Sequence, residues 1–377
     1  MSELDQNDRR MLETAIAILT DQYQKNADFN EHVDAEEPVV IGESEYLRSS
    51  VLFWVDPEAY EVEKENWQRS ESDAKHEKAL GLIRANGVVG LVEDMLLAVE
   101  RGRVVPFVGA GLSKPLGMPL WGDALMQLLG RLPGADAPRI QALIASGRYL
   151  EAAQELAAYD RIQTSHFVKT TYRASQLKLK AGPLPHLPRF ARGCIVTTNF
   201  DDAIEKTYEG AIHQGKQLVF DAYMHGTQEN KFFSRLVKGD RCLLKLHGDA
   251  ESEATHILTV EQYELAYGKP LDFQKSLPKA LRQIYISQSL LFLGCGLEQD
   301  WTMELFKAAR DSDGYQVPNH YAIVEAPADV QVRQQKETRL LDLNIQPIWY
   351  PNGEHQMVEY IVDLIADVAE KRFAFKG

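Results

Sequence analysis

The chain has 377 residues, 45% of them apolar, and a formal net charge of −14 at pH 7. That length and apolar share suffice for a full core, in one large domain or two moderate ones. The acidic balance argues against a general nucleic-acid-binding face, no apolar run approaches the roughly 18 residues of a membrane-spanning helix, and the first residues are too charged for a signal peptide, so a cytoplasmic protein is expected.

Residues 1–90 predict a mostly helical layer ahead of a main domain over residues 91–377. Leu12, Ile16, Leu19 and Tyr23 recur at helical spacing; such a stripe either packs on the main domain or takes a partner or a second copy of the chain. Residues 25–46 are acidic and read as an irregular connection, and the run Val51–Val55 fits either a strand or a buried segment. Helices are predicted over Lys75–Asn86 and Val88–Arg101. They lead into the apolar run Val104–Val108, which breaks into Gly109-Ala110-Gly111-Leu112-Ser113. This is the pattern of a buried parallel strand turning sharply at its carboxyl end.

A helix over Trp121–Leu132 follows, then a helical insertion near 138–180 (Ile140–Ala145, Leu150–Ala158, Ile162–Ser175), closed by Pro183, Pro185 and Pro188. Cys194–Thr198 predicts a short strand ending on Asn199-Phe200-Asp201, and Gln217–Phe220 a further one. Cys242–Leu246 ends on His247-Gly248-Asp249, and Leu290–Leu293 on Gly294-Cys295-Gly296. Helix Trp301–Arg310, strand His320–Val324, helix Val330–Leu341, strand Ile345–Trp349 and helix Met357–Arg372 complete the chain. Apolar strands alternating with helices predict an α/β fold, a doubly wound parallel sheet. Cys194, Cys242 and Cys295 lie in or beside apolar runs, and an odd count without short pair spacing predicts reduced, buried thiols.

Two familiar phosphate loops fail at the first strand end. A dinucleotide fingerprint needs a third glycine where Lys114 stands, and a Walker loop needs a Gly-Lys-Ser/Thr that the chain lacks here. Four strands nevertheless end in glycine or polar residues, and ligands of open parallel sheets bind outside those ends. Each ending also has a plainer role: Asn199 and Asp201 as caps of the next helix, His247 as a turn residue, Gly294–Gly296 as a turn.

Taken together, Gly109-Ala-Gly-Leu-Ser113 with Gly117-Met-Pro119, Thr198-Asn-Phe-Asp201, His247-Gly248 and Gly294-Cys-Gly-Leu297 resemble the sirtuin (Sir2) family in order and spacing over residues 90–350. The deacylating members carry two Cys-x-x-Cys pairs after the histidine, whereas Gly248–Leu293 contains no cysteine. A zinc module of that kind is therefore not expected. The chain looks more like the Sir2-like domains of bacterial anti-phage proteins, which hydrolyse NAD+ to nicotinamide and ADP-ribose.

That resemblance implies Asn199 and His247 as catalytic residues, Asn199 positioning the ribose or water through its amide and His247 acting as base. It implies Gly109, Ala110, Gly111 and Ser113 at the pyrophosphate, Asp201 at the nicotinamide end or in the loop around Asn199, and Gly294 and Gly296 beside the adenosine half. It further implies NAD+ as substrate without zinc, a homo-oligomer and an activating partner protein. The alternatives are a non-catalytic NAD+ or ADP-ribose sensor and, less favoured, an NAD-dependent deacylase.

Overall fold

Val104–Val108, buried along its whole length, forms the first strand, β1, of an eight-stranded sheet. The computed structural model describes residues 6–173, 182–213, 215–229, 231–298, 300–313 and 316–375. The other strands of this sheet are β2 (Ile195–Thr197), β3 (Ala222–His225), β4 (Gln228–Glu229), β5 (Cys242–Lys245), β6 (Ser289–Leu293), β7 (His320–Glu325) and β8 (Ile345–Tyr350). They lie in the order β8-β7-β6-β1-β2-β5-β3-β4. All pairings are parallel except the short edge strand β4, which runs antiparallel to β3.

The chain winds outward from β1 in both directions, so the expected doubly wound α/β sheet is the one observed. One face packs on Val92, Met95, Ile361 and Ile365 of flanking helices, the other on Leu281, Ile284, Leu305 and Phe306. Continuous apolar strands covered on both faces are the physical signature of such a sheet.

Helices Trp121–Gly130, Ala137–Ala145, Tyr149–Tyr159 and Arg161–Thr171 build a third core around Leu125, Leu128, Ile140, Leu156 and Phe167. Phe200, from the loop after β2, packs into that core. The insertion is thereby anchored to a strand-end loop. Its last helix was expected to reach Ser175 and ends at Thr171; residues 174–181 lie outside the described ones.

The chain divides into two compact units, Met1–Lys75 and His76–Gly377. Ala79, Leu80 and Ile83 are buried in the core of the second unit. In the first unit the segment expected to be irregular holds helix Ala27–Asp34 and a hairpin of Val39–Ile41 with Ser44–Tyr46. Its acidic surface concealed Phe29 and Val33, which pack with Tyr60. Val51–Val55 is helical, within Arg48–Val55. Leu12, Ile16 and Leu19 are exposed.

The strand expected at Gln217–Phe220 is not in the main sheet. Lys216–Gln217 forms a small hairpin with Ile212–His213, and the sheet strand is β3, a few residues later. Its alternating burial marks a position near the sheet's edge that a continuous apolar run does not describe. The thiols of Cys194 and Cys242 are buried and free, whereas Cys295 is free but only half-buried. Its place on the turn after β6, beyond the covered strand, leaves one side open. No helix among the described residues is long and apolar enough to cross a membrane.

Candidate active site

Parallel pairing of β6, β1, β2 and β5 brings their four carboxyl ends to one edge of the sheet, the edge where open α/β sheets bind ligands. The glycines there serve the sheet first. Gly109 N–H donates to Leu293 O at 2.9 Å and Gly111 N–H to Gly294 O at 3.0 Å. A Cβ on Gly109 would stand 2.5 Å from Gly294 O, and one on Gly111 2.9 Å from Gly294 Cα. The turns after β1 and β6 therefore pass too closely for any side chain. Gly294 itself has φ +65°, and a Cβ there would stand 2.6 Å from Leu112 N.

The expected cradle of three amides accordingly narrows. Among the described residues only Ala110 of the three has an N–H without a backbone acceptor. Gly296 is exposed, a Cβ there would touch only Glu298 Cγ, at 3.9 Å, and its carbonyl accepts from Lys336 Nζ at 2.6 Å.

Asn199, Ser113 and Asp201 form one buried network, at 7%, 2% and 4% exposure. Asn199 Nδ2 donates to Gly109 O at 3.1 Å and to Ser113 Oγ at 2.9 Å. Both amide hydrogens are thus committed, and Oδ1, which accepts from Thr198 Oγ1 at 3.4 Å, has a second lone pair left for a ligand. The Ser113 hydroxyl in turn hydrogen-bonds the Asp201 carboxyl, whose pKa is pushed up by burial against the opposing pull of Lys245, Ser113 and the Ala203 N–H. Asp201 also accepts from Ala203 N at 3.1 Å, so it holds the start of helix Ala203–Glu209 and the loop around Asn199. Asn199 has no part in that cap.

His247 stands beside this network, its ring 6.0 Å from that of Phe200. One ring nitrogen hydrogen-bonds the Thr198 carbonyl, and Nε2 meets Tyr263 Oη at 2.5 Å. A carbonyl only accepts, so Nδ1 carries the proton and Nε2 the lone pair. Burial pushes the His247 pKa down to about 4, and the imidazole is neutral at pH 7.

Beneath both loops lies Lys245, fully buried in β5. Its Nζ donates to Asp201 O at 2.8 Å, Glu205 Oε1 at 3.0 Å and Asp249 Oδ2 at 2.8 Å. Burial opposes its charge, but the two carboxylates outweigh that and raise its pKa above the ordinary lysine value. Glu205, His225 and Asp249 have metal-ligand spacing, as do His76, Asp363 and Asp367. Each group already surrounds a protein cation, Lys245 in the first case and Arg189 in the second. Lys245 and Tyr263 were not picked out from the sequence. A lysine inside the apolar run Cys242–Leu246 was the available signal for the first; the second carries none.

These neutral histidines give the fold an acid-sensitive side. His320, fully buried at the start of β7, accepts from Leu290 N at 3.0 Å, and burial lowers its pKa to about 3. An unfolded chain takes up these protons near pH 6.5, the native chain only near 4 and 3. Their stabilisation is complete above pH 6.5 and drains away as pH falls through that window. The melting temperature of a His320→Gln variant should fall less steeply from pH 7 to 4 than that of the parent chain; equal slopes would assign the acid sensitivity elsewhere.

Residues 193–348 match the family profile described as the SIR2-like domain. It is 23% identical over 269 residues to the NAD(+) hydrolase ThsA of Bacillus cereus (strain MSX-D12), covering 68% of this chain and 52% of that protein. It is 28% identical over 209 residues to the NAD(+) hydrolase ThsA of Acinetobacter baumannii (strain 532279), covering 54% and 38%. A third match, 26% over 232 residues, is the NAD(+) hydrolase ThsA of Cytobacillus dafuensis, covering 61% and 43%. The chain spans about half or less of the length of these curated relatives.

Proposed function

We propose that this chain, through its SIR2-like domain, hydrolyses NAD+ to nicotinamide and ADP-ribose, with Asn199 and His247 at the reacting ribose. The observation that carries this reading is the meeting of an oriented amide oxygen, Asn199 Oδ1, and a neutral imidazole, His247, on one sheet edge. Relatives named NAD(+) hydrolase support the same chemistry.

Breaking the nicotinamide–ribose bond sends its electron pair to the ring nitrogen, and the leaving group departs neutral. The ribose left behind is oxocarbenium-like and takes the oxygen of a water molecule, which must lose one proton. Asn199 Oδ1 is the acceptor that orients the water or a ribose hydroxyl; His247 receives the proton and returns it to solvent. The Ala110 N–H is the main-chain donor offered to a phosphate oxygen, and Ser113 and Asp201 hold the Asn199 amide in place. Gly294 and Gly296 border the adenosine half.

Within this reading the enzyme acts in the cytoplasm in anti-phage defence and is held in check until a partner protein releases it. The exposed stripe Leu12, Ile16 and Leu19 is the surface for a second copy of the chain.

The test is NAD+ turnover by the purified chain, followed by chromatography with and without an acetyl-lysine peptide. Nicotinamide and ADP-ribose in equal amounts without peptide are expected. O-acetyl-ADP-ribose formed only with peptide would make it a deacylase, saturable NAD+ binding without products a sensor, and no binding at all would end the reading.

A further inference from the structure

Two aromatic rings lie against His247 among the described residues, those of Phe200 and Tyr263, and only the tyrosine also meets it nitrogen to oxygen. Tyr263 Oη lies 2.5 Å from His247 Nε2, and no other side chain hydrogen-bonds that nitrogen among the described residues. Tyr263 is 6% exposed. Its position is over-determined: its ring stacks on Tyr267 with centroids 5.7 Å apart at 11°, and leans on Trp301 at 6.1 Å. Its helix, Val260–Tyr267, starts from a reciprocal cap in which Thr259 Oγ1 accepts from Gln262 N while Gln262 Oε1 accepts from Thr259 N. Such a cap fixes where the first turn of a helix lies, and Tyr263 follows directly on it.

We propose that Tyr263 positions His247 and relays its proton, holding the imidazole at Nε2 while the Thr198 carbonyl holds it at Nδ1. This inference rests on the proposed role of His247. A ring gripped at one nitrogen can swing about that contact; gripped at both, it has one orientation and one tautomer. Burial keeps the Tyr263 hydroxyl protonated well beyond the usual phenol range, so in this pair it is the donor. Donation to the lone pair favours the neutral imidazole over the imidazolium, which works in the same direction as the burial of His247. The titratable groups packed around the pair are Tyr267 and Asp300, both facing Tyr263, and His256, across the ring of Phe200. No carboxylate hydrogen-bonds His247 among the described residues.

The proton's route follows from that contact. The lone pair that Tyr263 holds can take up the proton of the attacking water only by way of the Tyr263 hydroxyl. As the C1′–O bond forms, the water proton passes to the Tyr263 oxygen while the Tyr263 proton passes to Nε2, and the hydroxyl ends as acceptor of the new N–H. The tyrosine gives up one proton and takes one, so it ends unchanged and nothing besides water and NAD+ is consumed.

Tyr263→Phe removes one oxygen and keeps the stacked ring, so the fold is retained. Tyr267→Phe, one turn along the same helix, is the control, because its hydroxyl does not touch His247. In the intact chain, histidine nitrogen NMR should show Nε2 of His247 hydrogen-bonded in the parent and released in Tyr263→Phe, with proton affinity raised about fivefold or more. Turnover of NAD+ should show kcat about tenfold lower, KM within about threefold, and the acid limb of the pH profile displaced upward. Tyr267→Phe should leave all of these unchanged. Nε2 shifts that are the same in parent and Tyr263→Phe, or equal changes in both variants, would overturn the proposal. A rise in kcat would also overturn it and make the tyrosine a mask on the base. The NMR arm needs no turnover: if the parent chain fails to cleave NAD+ while the Nε2 signal responds to Tyr263→Phe, the functional reading fails and the pairing stands.

Discussion

Replacement of His247 by alanine is expected to lower the release of nicotinamide from NAD+ by about a thousandfold, the scale on which a general base acts, while NAD+ binding stays within about tenfold of the parent. The separation follows from the geometry. His247 hydrogen-bonds only Thr198 and Tyr263 among the described residues, so its removal leaves the Asn199–Ser113–Asp201 network and the Ala110 amide as they are. Asn199→Ala should lose turnover as well, but with a second consequence. It removes one donor from Gly109 O, which keeps Leu112 N, and one from Ser113 Oγ, which keeps Asp201, and each buried hydrogen bond lost costs about 0.5–1.5 kcal/mol. The two variants are therefore told apart by thermal unfolding, in which Asn199→Ala melts at the lower temperature. Equilibrium binding of NAD+ beside product chromatography makes the measurement. If His247→Ala keeps most of the turnover, His247 is not the base.

The second large effect is on stability. Lys245→Met should destabilise the fold by about 3–5 kcal/mol, the range for removing one partner of a buried ion pair. Glu205 and Asp249 would be left facing each other in the interior without the ammonium that now lies 3.0 and 2.8 Å from them. The Asp201 carbonyl would lose its donor as well. Urea unfolding measures the loss, and Lys245→Met combined with Glu205→Gln should recover part of it because one buried charge is gone. A loss below about 1 kcal/mol for the single variant would mean that water reaches these carboxylates and that the cluster is not structural. Because Lys245 ties the loop after β2 to the loop after β5, the same variant should disturb the spacing of Asn199 and His247 even where the chain remains folded.

Much of this protein could be read from the chain. Strands β1, β2, β5, β6, β7 and β8 are legible because a strand covered on both faces must be apolar at nearly every position, and the polar residues that end them stand out for that reason. Their alternation with helices determines a parallel sheet, and a parallel sheet determines that Asn199 and His247 share an edge. What the chain withheld depends on packing between distant segments. Strand β3 hid near the sheet's edge, where half of its residues face outward. Helix Ala27–Asp34 hid among acidic residues because only Phe29, Asn30 and Val33 of it are buried.

At the site, the composition of Gly109–Gly111 suggested room for a phosphate. Only the close passage of the turns after β1 and β6 revealed that the glycines are required by Gly294, and that two of the three amides are already spent. Likewise Tyr263 stands 16 residues from His247 with nothing local to mark it. Its hydroxyl acquires a role because a capped helix docks beside β5. Hydrophobic period and strand-end chemistry are local properties and belong to the sequence; hydrogen-bond partners, protonation states and the distance between two backbones are settled only when the segments that carry them meet.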